Sequence, residues 1–301
     1  MASNGEITEG PLPNWLELPT EVTAKILYKL GAFDILTSAR LVCPLWWKTC
    51  KDPLMWRTID LTNQPPSYPH TAMLKLCRYA IEQSCGHLED ISIDFFCTDE
   101  VLKYIADSGS HLRRMGLLMK SWGISDVGMI ELVKKLPLLE EFEISFNCLP
   151  KNILELIGQS CPFLKVIKFT LFIGFPKGFE CNDDAFVIAK TMPELRHLQL
   201  IANRLTNDGL LAILDGCRHL ESLDLRGCSN VDLSGSLGER CCKQIKYLYL
   251  PEDVSEFSYY FEDEEDDGDY DDCYYDQECD WGKEGAYHNC VVAHSYGDCI
   301  Q

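Results

Sequence analysis

The 301-residue chain lacks most of the features that would place it quickly. Its N-terminus, MASNGEITEG, has no basic stretch followed by an apolar one, and no apolar run approaches the roughly 18 residues that suggest a membrane-spanning helix. Residue 2 is Ala where a myristoyl signal needs Gly, and Cys299 stands third from the end where prenylation needs a cysteine fourth from the end. A cytosolic start without membrane or lipid anchorage is expected, with the nucleus or the cytoplasm as the working compartment. Phosphate-cradling G-x-x-x-x-G-K-[ST], the nucleophile elbow G-x-S-x-G and the zinc helix H-E-x-x-H are all missing, and the seven histidines are scattered. Neither intrinsic catalysis nor a cofactor is expected. The sixteen cysteines include no C-x-x-C pair, and twelve are spread through the first 251 residues, so they read as reduced, buried thiols rather than as zinc ligands or a disulfide framework.

Basic residues are also scarce in one place. Residues 252–301 hold 17 acidic side chains and a single lysine, Lys283, so of the net charge of −20 this stretch carries −16 and the body only −4. A nucleic-acid partner wants a basic stripe, which is absent. The stretch, which includes FEDEEDDGDYDDCYYDQECDWG, has few aliphatic residues, and its composition predicts an acidic disordered tail. Its seven tyrosines could contact a basic partner or could belong to a merely solubilising tail. Cys273, Cys279, His288, Cys290, His294 and Cys299 follow no recognised zinc spacing.

What is present begins with LELPTEVTAKILYKLGAFDILTSARLVCPLWWKTCKDPLMWRTIDL, residues 16–61. Val22, Ile26, Leu27 and Leu30 recur as one helical stripe in a segment that opens at Pro19 and ends at Gly31. A second helix is expected from about Asp34 to Val42, with Ile35, Leu36, Ala39 and Val42 on one side. Pro44 has no N–H to give to that helix and opens a third, with Leu45, Trp46 and Trp47. So few residues cannot hide so much apolar surface among themselves, and a partner is implied.

The spacing of these residues resembles the F-box, the module that docks the Skp-type adaptor of SCF (cullin-RING) ubiquitin ligases. Leu18, Pro19, Val22, Ile26, Leu27, Leu30, Leu36, Val42, Cys43, Trp46 and Trp56 fall where that motif keeps its apolar positions, and the resemblance implies that they bind the adaptor. Pro44 and the doubled Trp46–Trp47 depart from the pattern; Trp47 is expected to face the next module. After this segment, TNQPPSYPH (residues 62–70) carries three prolines and reads as a connector.

A new rule then starts. The pattern apolar-x-x-apolar-x-apolar recurs at Leu88/Ile91/Ile93, Leu112/Met115/Leu117, Leu139/Phe142/Ile144, Leu164/Ile167/Phe169, Leu195/Leu198/Leu200, Leu220/Leu223/Leu225 and Ile245/Leu248/Leu250, with first positions 24, 27, 25, 31, 25 and 25 residues apart. A period in the twenties around a strand-like core is the signature of leucine-rich repeats, whose apolar edges are buried only by stacking. Asn147, Asn203 and Cys228 sit three residues beyond the last anchor, and Cys85, Cys161, Cys217 and Cys242 three before the first. ISDVGM (residues 124–129) and LTNDGL (205–210) read as starts of outer helices. Trp56, Ile59 and Leu61 obey the same rule, so a first, degenerate strand is expected inside WRTIDL.

Together these features resemble plant F-box/LRR-repeat proteins. The expected fold is an α/β repeat solenoid: a disordered N-terminus (1–13), a three-helix F-box (14–61), the connector (62–70), a curved solenoid of about seven repeats with parallel strands inside and helices outside (71–251), and the acidic tail (252–301). The resemblance implies a non-catalytic substrate receptor of a ubiquitin ligase, partnered by the adaptor and, through it, cullin, and holding an unknown protein target. The alternative is an LRR scaffold that works outside a ligase. Strand alternation turns Asp90, Ser92, Asp94, Arg114, Glu141, Glu143, Lys168, His197, Gln199, Asp224, Arg226, Tyr247 and Tyr249 to the concave face. Arg226, Tyr247 and Tyr249 are the expected target contacts, since Arg and aromatic side chains dominate binding hot spots. The long repeat adds FIGFPKGFE, residues 172–180, whose Phe175, Lys177 and Phe179 form a second expected contact set, with Phe172, Phe175 and Phe179 folding back as a small core as the other possibility.

Overall fold

A computed structural model describes residues 17–65, 67–94, 96–118, 124–146, 152–171 and 180–253. The first helix, α1 (Thr20–Tyr28), has Pro19 at its N-cap. Gly31, at φ +79°, is a conformation that an L side chain resists, and it joins α1 to α2 (Gly31–Thr37) rather than merely ending the first helix. The second helix is therefore three residues earlier than its apolar spacing suggested. Ser38 then breaks it (φ −134°, ψ −59°) and Ala39–Leu41 form a separate 3-10 turn. As expected, Pro44 opens α3 (Pro44–Thr49), where the Cys43 thiol caps the Trp46 N–H at 3.5 Å. Asp52 caps a further 3-10 turn, Pro53–Trp56.

Without interruption the chain enters β1 (Thr58–Leu61), which pairs in parallel with β2 (Asp90–Asp94) across the connector and α4 (His70–Gln83). Strand and helix then alternate: α5 (Asp99–Ser108), β3 (Arg114–Leu118), α6 (Asp126–Lys134), β4 (Glu141–Phe146), α7 (Ile153–Ser160), β5 (Val166–Leu171), α8 (Asp183–Thr191), β6 (His197–Ile201), α9 (Asn207–Gly216), β7 (Ser222–Asp224), α10 (Ser236–Gln244) and β8 (Tyr247–Tyr249). Among the described residues, these eight strands make one parallel sheet in sequence order. This is a leucine-rich-repeat solenoid, and its first strand belongs to the degenerate WRTIDL segment.

The register shows why the repeat period works. Ile59, Ile91, Met115, Phe142, Ile167, Leu198 and Leu223 stand side by side, as do Leu61, Ile93, Leu117, Ile144, Phe169 and Leu200, and all are buried against the helices. Each strand contributes two apolar side chains to one face because side chains alternate along it. At β8, the last strand among the described residues, Leu248 is only partly buried.

One residue before each strand, the backbone carbonyls of Arg57, Glu89, Arg113, Glu140, Lys165, Arg196 and Glu221 each accept two N–H groups from the next strand. Their side chains pair along the same edge: Arg57–Glu89 at 2.6 Å, Lys165–Glu140 at 2.9 Å, Arg196–Glu221 at 2.7 Å, and Arg113–Glu140. These exposed pairs contribute little individually. Each one ties a repeat to its neighbour in the observed register.

The helix starts are tied across repeats as well. Ser125 caps the Gly128 N–H, and its own N–H and hydroxyl both donate to Asp99 of the preceding helix, at 2.8 and 2.6 Å. Asn182 plays the same part for Thr206, accepting its N–H at 2.8 Å. A Cβ at Gly128 would stand 2.2 Å from Asp99 Oδ1, and one at Gly209 would stand 2.4 Å from Asn182 Oδ1. The glycines of ISDVGM and LTNDGL are there to admit the neighbouring repeat's side chain.

The cysteines divide by place. Cys161 and Cys217 donate to the Leu136 and Met192 carbonyls of the preceding repeats, at 3.5 Å each, and Cys228 is buried beneath the Leu200 carbonyl. Burial pushes the Cys77 and Cys228 thiols up to about 12 and those of Cys161 and Cys217 up to about 11. Cys85 and Cys242 are exposed instead; in the last repeat it is Cys241 that fills the core. Asn203, also buried, accepts the Leu205 N–H at 2.9 Å, satisfying backbone at the bend. Asn147 lies outside the described residues, as does all but the first two residues of the acidic tail.

Candidate functional site

Two surfaces are left uncovered by this packing, one on the N-terminal helices and one on the sheet. On the helices, the stripe read from the sequence splits. Leu27, Leu36 and Trp56 are 0%, 1% and 1% exposed and belong to the core, so they are corrected from adaptor contacts to internal supports. Trp56 donates from Nε1 to the Cys50 carbonyl at 2.8 Å and meets the Tyr79 ring edge-on, which fastens the helices to α4. Cys43, half-buried, acts as a cap. Leu18, Ile26 and Trp46 are half-buried, and Pro19 is exposed.

The remaining expected positions, Val22, Leu30 and Val42, are open to solvent, Val42 at 62%. With them the structure exposes Tyr28, Leu41, Trp47 and Leu54, Leu41 at 72%. Their elements touch one another: α1 packs on α3, and α3 on the 39–41 turn. Trp47 does not face the next module as expected; it is exposed, with the Lys51 ammonium 3.7 Å from its ring centroid. Leu41 escaped sequence reading because the second helix was placed three residues too late; the true signal is the Ser38 break, after which Leu41 and Val42 stand outward together.

The second surface is the face of the sheet turned away from the helices. Thr58, Asp90, Arg114, Glu141, Val166, His197, Ser222 and Tyr247 form one row across it, and Asp60, Ser92, Gly116, Glu143, Lys168, Gln199, Asp224 and Tyr249 the next. Arg114 pairs with Asp90 at 2.8 Å, and that hydrogen bond raises the guanidinium pKa. Burial disfavours the charged Lys168, yet Glu141 at 2.7 Å and Glu143 at 3.1 Å more than offset it and its pKa is raised.

At the C-terminal end, Asp224 is buried rather than facing a partner. Its carboxylate accepts the Arg226 N–H at 3.1 Å and both Nε and Nη2, the latter at 2.7 Å. The guanidinium is thereby fixed 5.4 Å from the Tyr249 ring centroid. Tyr247 and Tyr249 are half-exposed on the same face of β8; Arg226 lies against Tyr249, while the Lys246 ammonium stands 4.8 Å from the Tyr247 ring centroid. Phe175, Lys177 and Phe179 lie outside the described residues.

Nothing in either surface resembles a reaction centre. Among the described residues no group of His, Cys, Asp and Glu could hold a metal ion, and no helix is long and apolar enough to cross a membrane. The surfaces suit macromolecular docking.

Comparison with known proteins bears on which kind. Residues 15–62 match the F-box-like family model. The chain is 44% identical to F-box/LRR-repeat protein 23 of Arabidopsis thaliana over 266 residues, which is 84% of this chain and 59% of that protein, so it spans less than two thirds of that relative's length. It is 46% identical to F-box/LRR-repeat protein 22 over 80% of this chain and 78% of that one. F-box protein SKIP19, from the same plant, is 45% identical over 81% and 79%. With the eight-stranded solenoid continuous with an F-box-like segment, these matches establish that the chain belongs to the F-box/LRR-repeat protein family.

Proposed function

We propose that this protein is a substrate-recognition subunit of an SCF-type ubiquitin ligase. Its N-terminal helices bind a Skp-type adaptor and, through it, cullin, while the open sheet face holds a protein target. It is not itself an enzyme; the conjugating enzyme supplies the chemistry and this chain supplies positioning. The observation that carries the reading is the bare apolar surface on the segment that matches the F-box-like model, where Leu41 and Val42 are mostly exposed and Val22, Tyr28, Leu30 and Trp47 are close to half-exposed. Exposed apolar side chains gathered on adjoining elements mark an interface.

The test is co-purification of the full chain with adaptor and cullin, comparing wild type with the variant Leu41→Asp, Val42→Asp. Both side chains are exposed, so the variant should keep its melting temperature and lose the adaptor. Undiminished capture by the folded variant overturns the reading. Capture of adaptor without cullin favours a scaffold acting outside a ligase.

A further inference from the structure

The open sheet face is electrically divided. On β1–β4 it carries Asp60, Asp90, Asp94, Glu141 and Glu143 against one cation, Arg114. On β5–β8 and the residues just after β7, Lys168 and Arg226 outnumber the buried Asp224. Even with Lys168 counted beside the carboxylates it meets, and leaving Asp94 aside, Asp60, Asp90, Glu141 and Glu143 outnumber Arg114 and Lys168 by four to two. Arg114 answers Asp90, and Lys168 is shared between Glu141 and Glu143. Asp60 accepts from the N–H and hydroxyl of Thr62, neither of which brings a charge.

Between the carboxylates the face is small and uncharged. Gly116 stands in register between Ser92 and Glu143 and is buried, with the Ser92 side chain lying over it: a Cβ there would be 2.9 Å from Ser92 Oγ. A long side chain with an aliphatic stem and a cationic end can lie across this stretch and place its charge beside the carboxylates.

We propose that this half of the face binds a basic, extended segment of the target protein, with Lys or Arg side chains over β1–β4. The proposal rests on the reading of the open face as the target-binding surface and adds the chemistry of what it takes. Strands stand about 4.8 Å apart, so crossing four of them takes an extended segment of about five residues at roughly 3.4 Å each. The chain's own acidic stretch, with 17 acidic residues to one lysine, has the wrong sign of charge to be this occupant. Nucleic acid is repelled for the same reason. A divalent ion is not the partner, since among the described residues no acidic group is gathered closely enough to hold one.

The experiment uses the full chain in complex with its adaptor and a fluorescein-labelled ten-residue peptide of alternating lysine and serine, followed by anisotropy at low salt. A glutamate–serine peptide is the control. The face variant Asp60→Asn, Asp90→Asn, Glu141→Gln, Glu143→Gln is set against Glu264→Gln, Glu265→Gln, Asp266→Asn, Asp267→Asn, which removes as much charge from the C-terminal stretch. The face variant should weaken lysine-peptide binding about tenfold or more, as four partly exposed charge contacts together allow, with a shallower dependence on salt. The other variant should stay within about twofold on the same ground, and Lys168→Glu should tighten binding. Equal losses in the two fourfold variants would mean attraction to net charge alone and would overturn the proposal, as would no preference over the glutamate peptide. The variant Leu41→Asp, Val42→Asp, measured free of adaptor, should bind the peptide normally, so failure of the ligase reading is seen separately. If the face variant abolishes capture of targets trapped under proteasome inhibition while the lysine peptide does not bind, the face is the docking surface and its basic preference is wrong.

Discussion

Gly209→Ala turns the contact between α8 and α9 into a question of sign. In an ordinary helix the change from glycine to alanine stabilises by about 1 kcal/mol. Here the new methyl group would stand 2.4 Å from Asn182 Oδ1 and 3.0 Å from Ala185 Cβ. Asn182 cannot step aside freely, because the same oxygen accepts the Thr206 N–H at 2.8 Å and lies 3.3 Å from the Thr206 hydroxyl. Displacing it loses a hydrogen bond worth about 0.5–1.5 kcal/mol, and overpacking costs a further ~1–3 kcal/mol. The penalties exceed the gain, so Gly209→Ala should destabilise by about 1–3 kcal/mol, read as a lower urea midpoint by circular dichroism. A double-mutant cycle isolates the cause: once Asn182→Ala has removed the obstructing amide, Gly209→Ala should cost at least about 1 kcal/mol less. A rise in stability from Gly209→Ala alone, or an equal cost in both backgrounds, would refute the account of why these repeats carry glycine there.

The other expectations are simpler to state. Leu27→Ala should cost ~2–5 kcal/mol because it empties a wholly enclosed site, whereas Val42→Ala should change stability by less than about 0.5 kcal/mol and weaken adaptor capture. Under native conditions iodoacetamide should label Cys85 and Cys242 and spare Cys77, Cys161, Cys217 and Cys228, whose burial raises their pKa and shields them; peptide-resolved mass spectrometry reads the pattern, and rapid labelling of Cys77 would contradict the packing. Hydrogen bonds from Lys165 and Arg113 hold the Glu140 pKa below its ordinary 4.5. Its stabilising contribution is thus complete above that value and is lost as the pH falls through the lower folded-state pKa, so the gap in melting temperature between wild type and Glu140→Gln should close on acidification.

Much of the fold was written in spacing. Leu88, Ile91 and Ile93 are wholly buried as their triplet demanded, and the same rule found β1 within a segment otherwise read as helical. The repeat rule also called for a buried Trp56, whereas helical periodicity was less informative about Leu27 and Leu36. It reports that a residue lies on an apolar face but not whether that face meets the chain's own core or a partner, and in this short bundle both faces are apolar. Asp224 does lie on the open face as strand alternation requires, but alternation does not reveal that the neighbouring Arg226 folds over it and buries it. The carbonyl ladder from Arg57 to Glu221 and the cap ties at Asp99 and Asn182 join residues about one repeat apart, and a single repeat shows them only as scattered polar positions.

The pairing of β1 with β2 makes the F-box helices and the first repeat share a hydrogen-bonded ladder instead of a joint. Trp56, bonded to Cys50 and set against Tyr79, locks the same corner from behind. The described repeats therefore form a lever with no elbow: β8 lies seven strand spacings, about 34 Å along the sheet, from β1. Length in such a device is quantised, since removing one repeat would draw β8 in by a single strand spacing and turn it by that repeat's share of the twist, while leaving the N-terminal helices untouched.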